Sequence, residues 1–294
     1  MNPGSSDNEF TVTRPARFAR RCAAALLACS VMGVTYCVSG ATEVGPEKGT
    51  LVIVGGGLKD QEILKRFVEL AGGPSGPIVI IPTAGDGEDF GTNSSTHKVL
   101  RNAGATNLST LHTRDRKVAD TDEFIKPLLA ARGVWIGGGR QWRLADAYLH
   151  TKTHKALFGV LERGGVIGGS SAGATIQGSY MVRGDVKGNT VMMSKGHEES
   201  FGFVKNVAVD QHLIVRQREE DMLPVIKQYP QLLGIGIDEN TAIIVQGDRF
   251  EVMGASKVAI YDPKWKAAEG EKPYYFLEAG DHFDLKTRQA DKRR

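Results

Sequence analysis

From Leu51 onward, short β-branched runs alternate with stretches whose apolar residues recur at helical spacing. That alternation predicts a parallel sheet flanked by helices. Leu51-Val52-Ile53-Val54 reads as the first buried strand, broken by Gly55-Gly56-Gly57. Between Lys59 and Ala71, apolar residues at Ile63, Leu64, Phe67, Val68 and Ala71 form one helical face, ended by Gly72-Gly73-Pro74. Ile78 to Ile81 is a second strand, stopped by Pro82. A helix over Thr92 to Ala103, a strand near Leu108 to His112 and a helix over Asp122 to Ala131 continue the series. Val134-Trp135-Ile136 then runs into Gly137-Gly138-Gly139. Helices over Gln141 to Leu149 and His154 to Arg163 lead to Val166-Ile167 and a glycine-flanked serine turn.

After that turn the strands shorten: Val207 to Val209, Ile235 to Ile237, Ala242 to Val245, a hairpin through Gln246-Gly247-Asp248 into Phe250 to Met253, and Val258 to Tyr261. No repeat, linker or composition break interrupts the pattern. One α/β domain over residues 41–285 is expected, mostly parallel, with a β-rich C-terminal part. The charged tail 286–294 is expected to fray. The candidate chemistry follows the carboxyl ends of strands, where open α/β sheets bind ligands.

Composition narrows the class. The 294 residues are 41% hydrophobic and 24% charged, ordinary globular values. A net charge of +3, from 37 basic and 34 acidic residues, is too small for a nucleic-acid footprint. The cysteines, Cys22, Cys29 and Cys37, all lie near the N-terminus, which removes disulfides, thiolate metal sites and a cysteine nucleophile from the main domain. Arg14, Arg17, Arg20 and Arg21 precede a run of mostly small and apolar residues from Cys22 to Val38, ending in Ser39-Gly40-Ala41. This predicts a signal peptide over residues 1–40, cleaved near Ala41, and a periplasmic or secreted protein. Thr35, Tyr36 and Gly33 interrupt a stretch already short for a membrane span. Leu26-Leu27-Ala28-Cys29 resembles a bacterial lipobox, so lipidation at Cys29 is the alternative and the one route to a membrane anchor. The histidines are scattered and no H-E-x-x-H occurs, so neither metal nor cofactor is expected.

Gly169-Ser170-Ser171-Ala172-Gly173 matches G-x-S-x-G between an expected strand and an expected helix, the context in which that motif marks a nucleophile elbow. Ser171 is its central serine, and the N–H of Ala172 is the first candidate oxyanion donor. Small residues that merely let a strand turn into a helix would look the same. A serine also needs a base within hydrogen-bond reach. Phosphate cradling by Gly55-Gly56-Gly57 or Gly137-Gly138-Gly139 is weak, because neither has the G-x-G-x-x-G spacing or a P-loop Lys-Ser pair.

Four segments in order, Ile167 to Ala174, Asp210-Gln211-His212, Gly234 to Ala242 and Gly280 to Leu285, resemble the serine peptidase family that holds the cyanophycinases and aspartyl dipeptidases. The likeness spans roughly Gly49 to Leu285. It implies a flavodoxin-like fold of the class I glutamine-amidotransferase type, no cofactor, and a homodimer. It implies His212 as the base and Gly139 as the second oxyanion donor. The acid is implied at Asp185, between nucleophile and histidine, with Glu239 as the competitor. Gln141, Asp210, Gln211, Arg216 and Arg218 are implied to line the substrate pocket, the arginines suiting carboxylates and Asp210 a guanidinium. A solvated charged helix face is the plain alternative for Arg216 and Arg218.

The substrate so implied is cyanophycin, a polyaspartate with arginine on its side chains, degraded to β-Asp-Arg dipeptides. One departure stands out: cyanophycinases carry a third arginine where this chain has Asp221. The alternatives are an aspartyl or isoaspartyl peptidase on small peptides, and a non-catalytic binding protein on the same scaffold.

Overall fold

A computed structural model of the chain describes residues 44–87, 90–91 and 94–293. The expected signal, Cys29 and the cleavage site near Ala41 lie outside the described residues, as do Thr92 and Asn93 of the expected second helix.

The chain begins with β1 (Thr50–Val54), α1 (Gln61–Leu70), β2 (Ile78–Ile81), α2 (Ser95–Asn102) and β3 (Leu108–Thr110). It continues through α3 (Arg116–Ala119), α4 (Asp122–Ala130), β4 (Gly133–Ile136), α5 (Gln141–Tyr148), α6 (Lys152–Glu162), β5 (Val166–Ser170) and the short α7 (Ala172–Thr175). These five strands form the parallel block β1-β5-β4-β2-β3. Both of its faces are covered. Val52, Val54, Ile78 and Ile80 pack against Ile63, Leu64, Phe67 and Val68 of α1 and Leu100 of α2. Their neighbours Leu51, Ile53, Val79 and Ile81 pack against Leu128, Leu144, Leu157 and Val160 on the other side. This two-sided burial is why the strands read as unbroken apolar runs.

Local sequence sets the helix starts. Asp60 caps α1 by accepting from the Glu62 N–H, Ser94 caps α2 through His97, and Thr151 caps α6 through His154. Within the sheet, Gly168 of β5 leaves room for the edge-on pair Phe67–Trp135, whose centroids lie 4.9 Å apart. A Cβ on Gly168 would sit 2.6 Å from Trp135 Cε3 and 2.7 Å from Phe67 Cδ2.

The β-rich part resolves into two destinations. Of β6 (Val207–Gln211), α8 (Leu223–Gln228), β7 (Leu233–Ile237), β8 (Thr241–Gln246), β9 (Arg249–Gly254), β10 (Val258–Tyr261), β11 (Tyr275–Leu277), β12 (His282–Asp284) and β13 (Gln289–Asp291), four strands extend the main sheet. β8 pairs antiparallel with β1 and is followed outward by β9, β12 and β13, making nine strands. The others form a second sheet in the order β11-β10-β7-β6, with β6 and β7 parallel. The tail corrects the expectation of fraying. Gln289–Asp291 hydrogen-bonds along β12 as the edge strand, and the exposed charges around it guard a sheet edge.

Candidate active site

The hub of the site is the turn after β1. The carbonyls of Val54, Gly55 and Gly56 accept the backbone N–H groups of Ser171, His212 and Asn240 at 3.0, 2.8 and 2.8 Å. One turn thereby fixes the ends of three strands, β5, β6 and β7. Sequence reasoning weighed this glycine run only as a weak phosphate loop. The signal it held was three adjacent glycines directly after the first strand.

Ser171 follows β5 in a strained conformation, φ 58° and ψ −113°. The flanking glycines make it feasible: a Cβ on Gly169 would lie 2.2 Å from the Gly173 carbonyl oxygen, and one on Gly173 would lie 2.1 Å from that of Ile136. His212, at φ 54°, likewise leaves its strand abruptly. Ser171 Oγ and His212 Nε2 lie 2.9 Å apart, and Nδ1 lies 2.5 Å from Glu239 Oε1.

The carboxylate on the imidazole is Glu239, and Asp185 stands elsewhere. The register of the second sheet gives the reason. Gln211 of β6 faces Ile237 of the parallel β7, so the residues just past the two strand ends, His212 and Glu239, emerge side by side. Asp185 lies on the loop after α7, where its Oδ1 accepts from the Lys187 and Gly188 N–H groups. Its backbone carbonyl takes a hydrogen bond from Arg140. It holds its own loop together.

Glycine makes room for the pair. A Cβ on Gly56 would come within 2.2 Å of His212 Cε1, and one on Gly57 within 2.2 Å of Glu239 Oε2. The His212 side chain is only 9% exposed, and burial pushes its pKa below the ordinary 6.5. The Glu239 hydrogen bond opposes that shift, while the charges of Arg216 and Arg218 add to it. A neutral imidazole at neutral pH, held by a carboxylate at Nδ1, can accept a proton from the serine at Nε2.

The Gly137-Gly138-Gly139 turn lies across from the serine, where a Cβ on Gly138 would be 3.3 Å from that of Ser171. Gly139 adopts φ 140°, and its missing Cβ would strike the Ala84 carbonyl. The N–H groups of Gly138, Gly139 and Ala172 take no acceptor among the described residues. They are free to meet an oxygen that gains charge beside Ser171.

The expected pocket residues divide. Gln211 and Arg218 are buried together, Arg218 Nη1 lying 3.2 Å from the Gln211 carbonyl and 3.3 Å from its Oε1. Arg216 is exposed on the same turn. Asp210 does not await a substrate guanidinium: Arg183 Nε and Nη2 already donate to its two oxygens at 2.7 and 2.8 Å. Gln141 uses its amide nitrogen on the carbonyls of Val182 and Arg183, at 2.8 and 2.9 Å, so it supports the loop rather than presenting its NH2 to the pocket. Asp221 is bonded to Arg183 Nη2 at 2.7 Å. Arg183 had no motif around it and was missed.

Residues 51–253 match the model of peptidase family S51. The cyanophycinase of Geminocystis herdmanii (strain PCC 6308) is 31% identical over 81% of this chain and 94% of its own. That of Trichormus variabilis (strain ATCC 29413 / PCC 7937) is 32% identical over 73% of this chain and 74% of its own. Among solved structures, a peptidase from an acI-B1 Actinobacterium superposes with TM-score 0.62 at 25% identity, over 81% of this chain and 97% of that one.

Proposed function

This chain belongs to peptidase family S51, and on that premise we propose that it is an exported serine exopeptidase that hydrolyses cyanophycin to β-Asp-Arg dipeptides. The observation that carries the mechanism is the continuous contact Ser171–His212–Glu239, at 2.9 and 2.5 Å. Ser171 attacks the scissile carbonyl while His212 takes its proton at Nε2. Glu239 holds the imidazole tautomer and stabilises the imidazolium that forms. The oxyanion is met by the N–H groups of Gly139 and Ala172. His212 then returns the proton to the leaving amine, and water releases the acyl group by the reverse sequence.

Arg218, Arg216 and Gln211 receive the free carboxylates of the acidic substrate. The N-terminal pattern of basic, apolar and small residues supports export, and an exported enzyme meets polymer released by other cells rather than its own stores. A second reading rests on the resemblance, which implies an arginine at the position this chain fills with Asp221 and so leaves room for a smaller aspartyl or isoaspartyl peptide. The deciding experiment incubates the protein with insoluble cyanophycin and, separately, with a panel of α- and β-aspartyl dipeptides. Release of β-Asp-Arg from the polymer, abolished by Ser171→Ala, is the expected result. Cleavage of the small peptides alone would replace the polymer reading with the second one.

A further inference from the structure

Arg183 is 1% exposed, although it carries a full charge and a left-handed backbone, φ 58°. Its guanidinium makes four hydrogen bonds: two to Asp210, one to Asp221 and one, at 2.9 Å, to the Asn189 carbonyl. Asp210 lies two residues before His212, and Asp221 closes the turn that starts there. One guanidinium from the loop after α7 therefore clamps both ends of the segment that carries Arg216 and Arg218.

Arg218 presents the opposite case. It is 7% exposed, and among the described residues its guanidinium bonds only to neutral oxygens of Gln211, with no carboxylate in ion-pair range. Burial, and next the charge of Arg183, lower its pKa, whereas Asp210 and Asp221 raise it. Both acids are therefore near enough to be felt by Arg218 yet are bonded to Arg183. A buried cation without an internal counter-ion is costly unless an anion arrives.

We propose that Arg183 is a positioning residue that sets specificity: by engaging both Asp210 and Asp221, it keeps Arg218 unpaired and aimed at a substrate carboxylate. The inference rests on the peptidase reading above and gives Arg218 a carboxylate of the peptide substrate as its partner. Without Arg183, the two acids become the nearest partners of Arg218 and compete with substrate for it.

The test compares two probes, a short β-Asp-Arg oligomer as its free acid and the same oligomer with its arginine and C-terminal carboxylates converted to carboxamides. Arg183→Met should raise KM for the free acid by roughly tenfold or more, the cost of one charge-assisted contact, with kcat and the carboxamide KM held within about threefold. Asp221→Asn should lower KM for the free acid, by about two- to fivefold, and added to Arg183→Met should recover part of the loss. Equal changes for both probes, or a raised KM in Asp221→Asn, overturn the proposal. Asp221 is 42% exposed, so its variant decides the matter if Arg183→Met fails to fold. If the unaltered chain cleaves neither probe, the substrate reading falls separately. A crystal structure of Arg183→Met then decides: Arg218 turned onto Asp210 or Asp221 supports the inference, and Arg218 still on Gln211 refutes it.

Discussion

Replacing Glu239 by Gln, beside Asp185→Asn as its control, separates the two acids that the sequence left in competition. The Glu239 carboxylate lies 2.5 Å from His212 Nδ1 and is 28% exposed. With an effective dielectric of about 20 and charge centres about 4 Å apart, the carboxylate stabilises an imidazolium by ~4 kcal/mol. Partial exposure discounts that to about half at worst, so the electrostatic loss alone is about 30- to 1000-fold in kcat. A glutamine adds a second defect. Its NH2 can donate to Nδ1 and place the ring proton on Nε2, the tautomer that cannot accept from serine, which extends the loss toward ~10⁴. The Asp185 side chain bonds only to its own loop, and Asp185→Asn should change kcat by about twofold or less. Steady-state kinetics on the cleaved substrate, with thermal melts to verify folding, measures both. Removing Glu239 also removes an influence that raises the His212 pKa, so the acid limb of any residual activity should move to lower pH. Equal damage from both variants, or a Glu239→Gln enzyme within about threefold of the parent, would refute the assignment.

Four more outcomes follow from the geometry and from the depressed His212 pKa. Gly56→Ala drives a methyl into the His212 ring and needs φ 125°, so kcat should fall by ~10² or more while the folded population persists, as seen by circular dichroism. Gly168→Ala, whose methyl would meet Phe67 and Trp135 and not the catalytic residues, should cost about 1–3 kcal/mol of stability in denaturant unfolding, with activity per folded molecule retained. The pH profile of kcat/KM should be level near neutrality and fall only below 6.5, because burial depresses the His212 pKa and the base works unprotonated. The same depression makes folding weaken as pH drops below 6.5, where the unfolded chain binds the proton more readily.

The parallel half of the fold was legible because its central strands β1, β2 and β4 are buried on both faces and the helices beside them carry apolar stripes, so periodicity separates the two. Ser171 was legible for a related reason: a strained turn between strand and helix tolerates few residue types around it. The acid was not. Its identity depends on the register between β6 and β7, and no spacing between His212 and Glu239 in sequence reveals that their strands run side by side. Gly55-Gly56-Gly57 was visible but its role was not, since making space for an imidazole and cradling a phosphate leave the same residue type. Arg183 was hidden among ordinary charges, its partners being 27 and 38 residues away. β13 was concealed by composition, because an edge strand exposed to water can be as charged as a loose tail.

Covalent labelling tests directly, without reference to any substrate, whether Ser171 is a nucleophile activated by His212. The folded protein is treated with a fluorophosphonate at neutral pH and digested, and the modified peptide is sequenced by mass spectrometry. A single adduct on Ser171 is expected, forming far more slowly in His212→Ala and losing rate as the pH falls below 6.5. An adduct on Ser170 instead, or a folded protein that remains unlabelled, would contradict it.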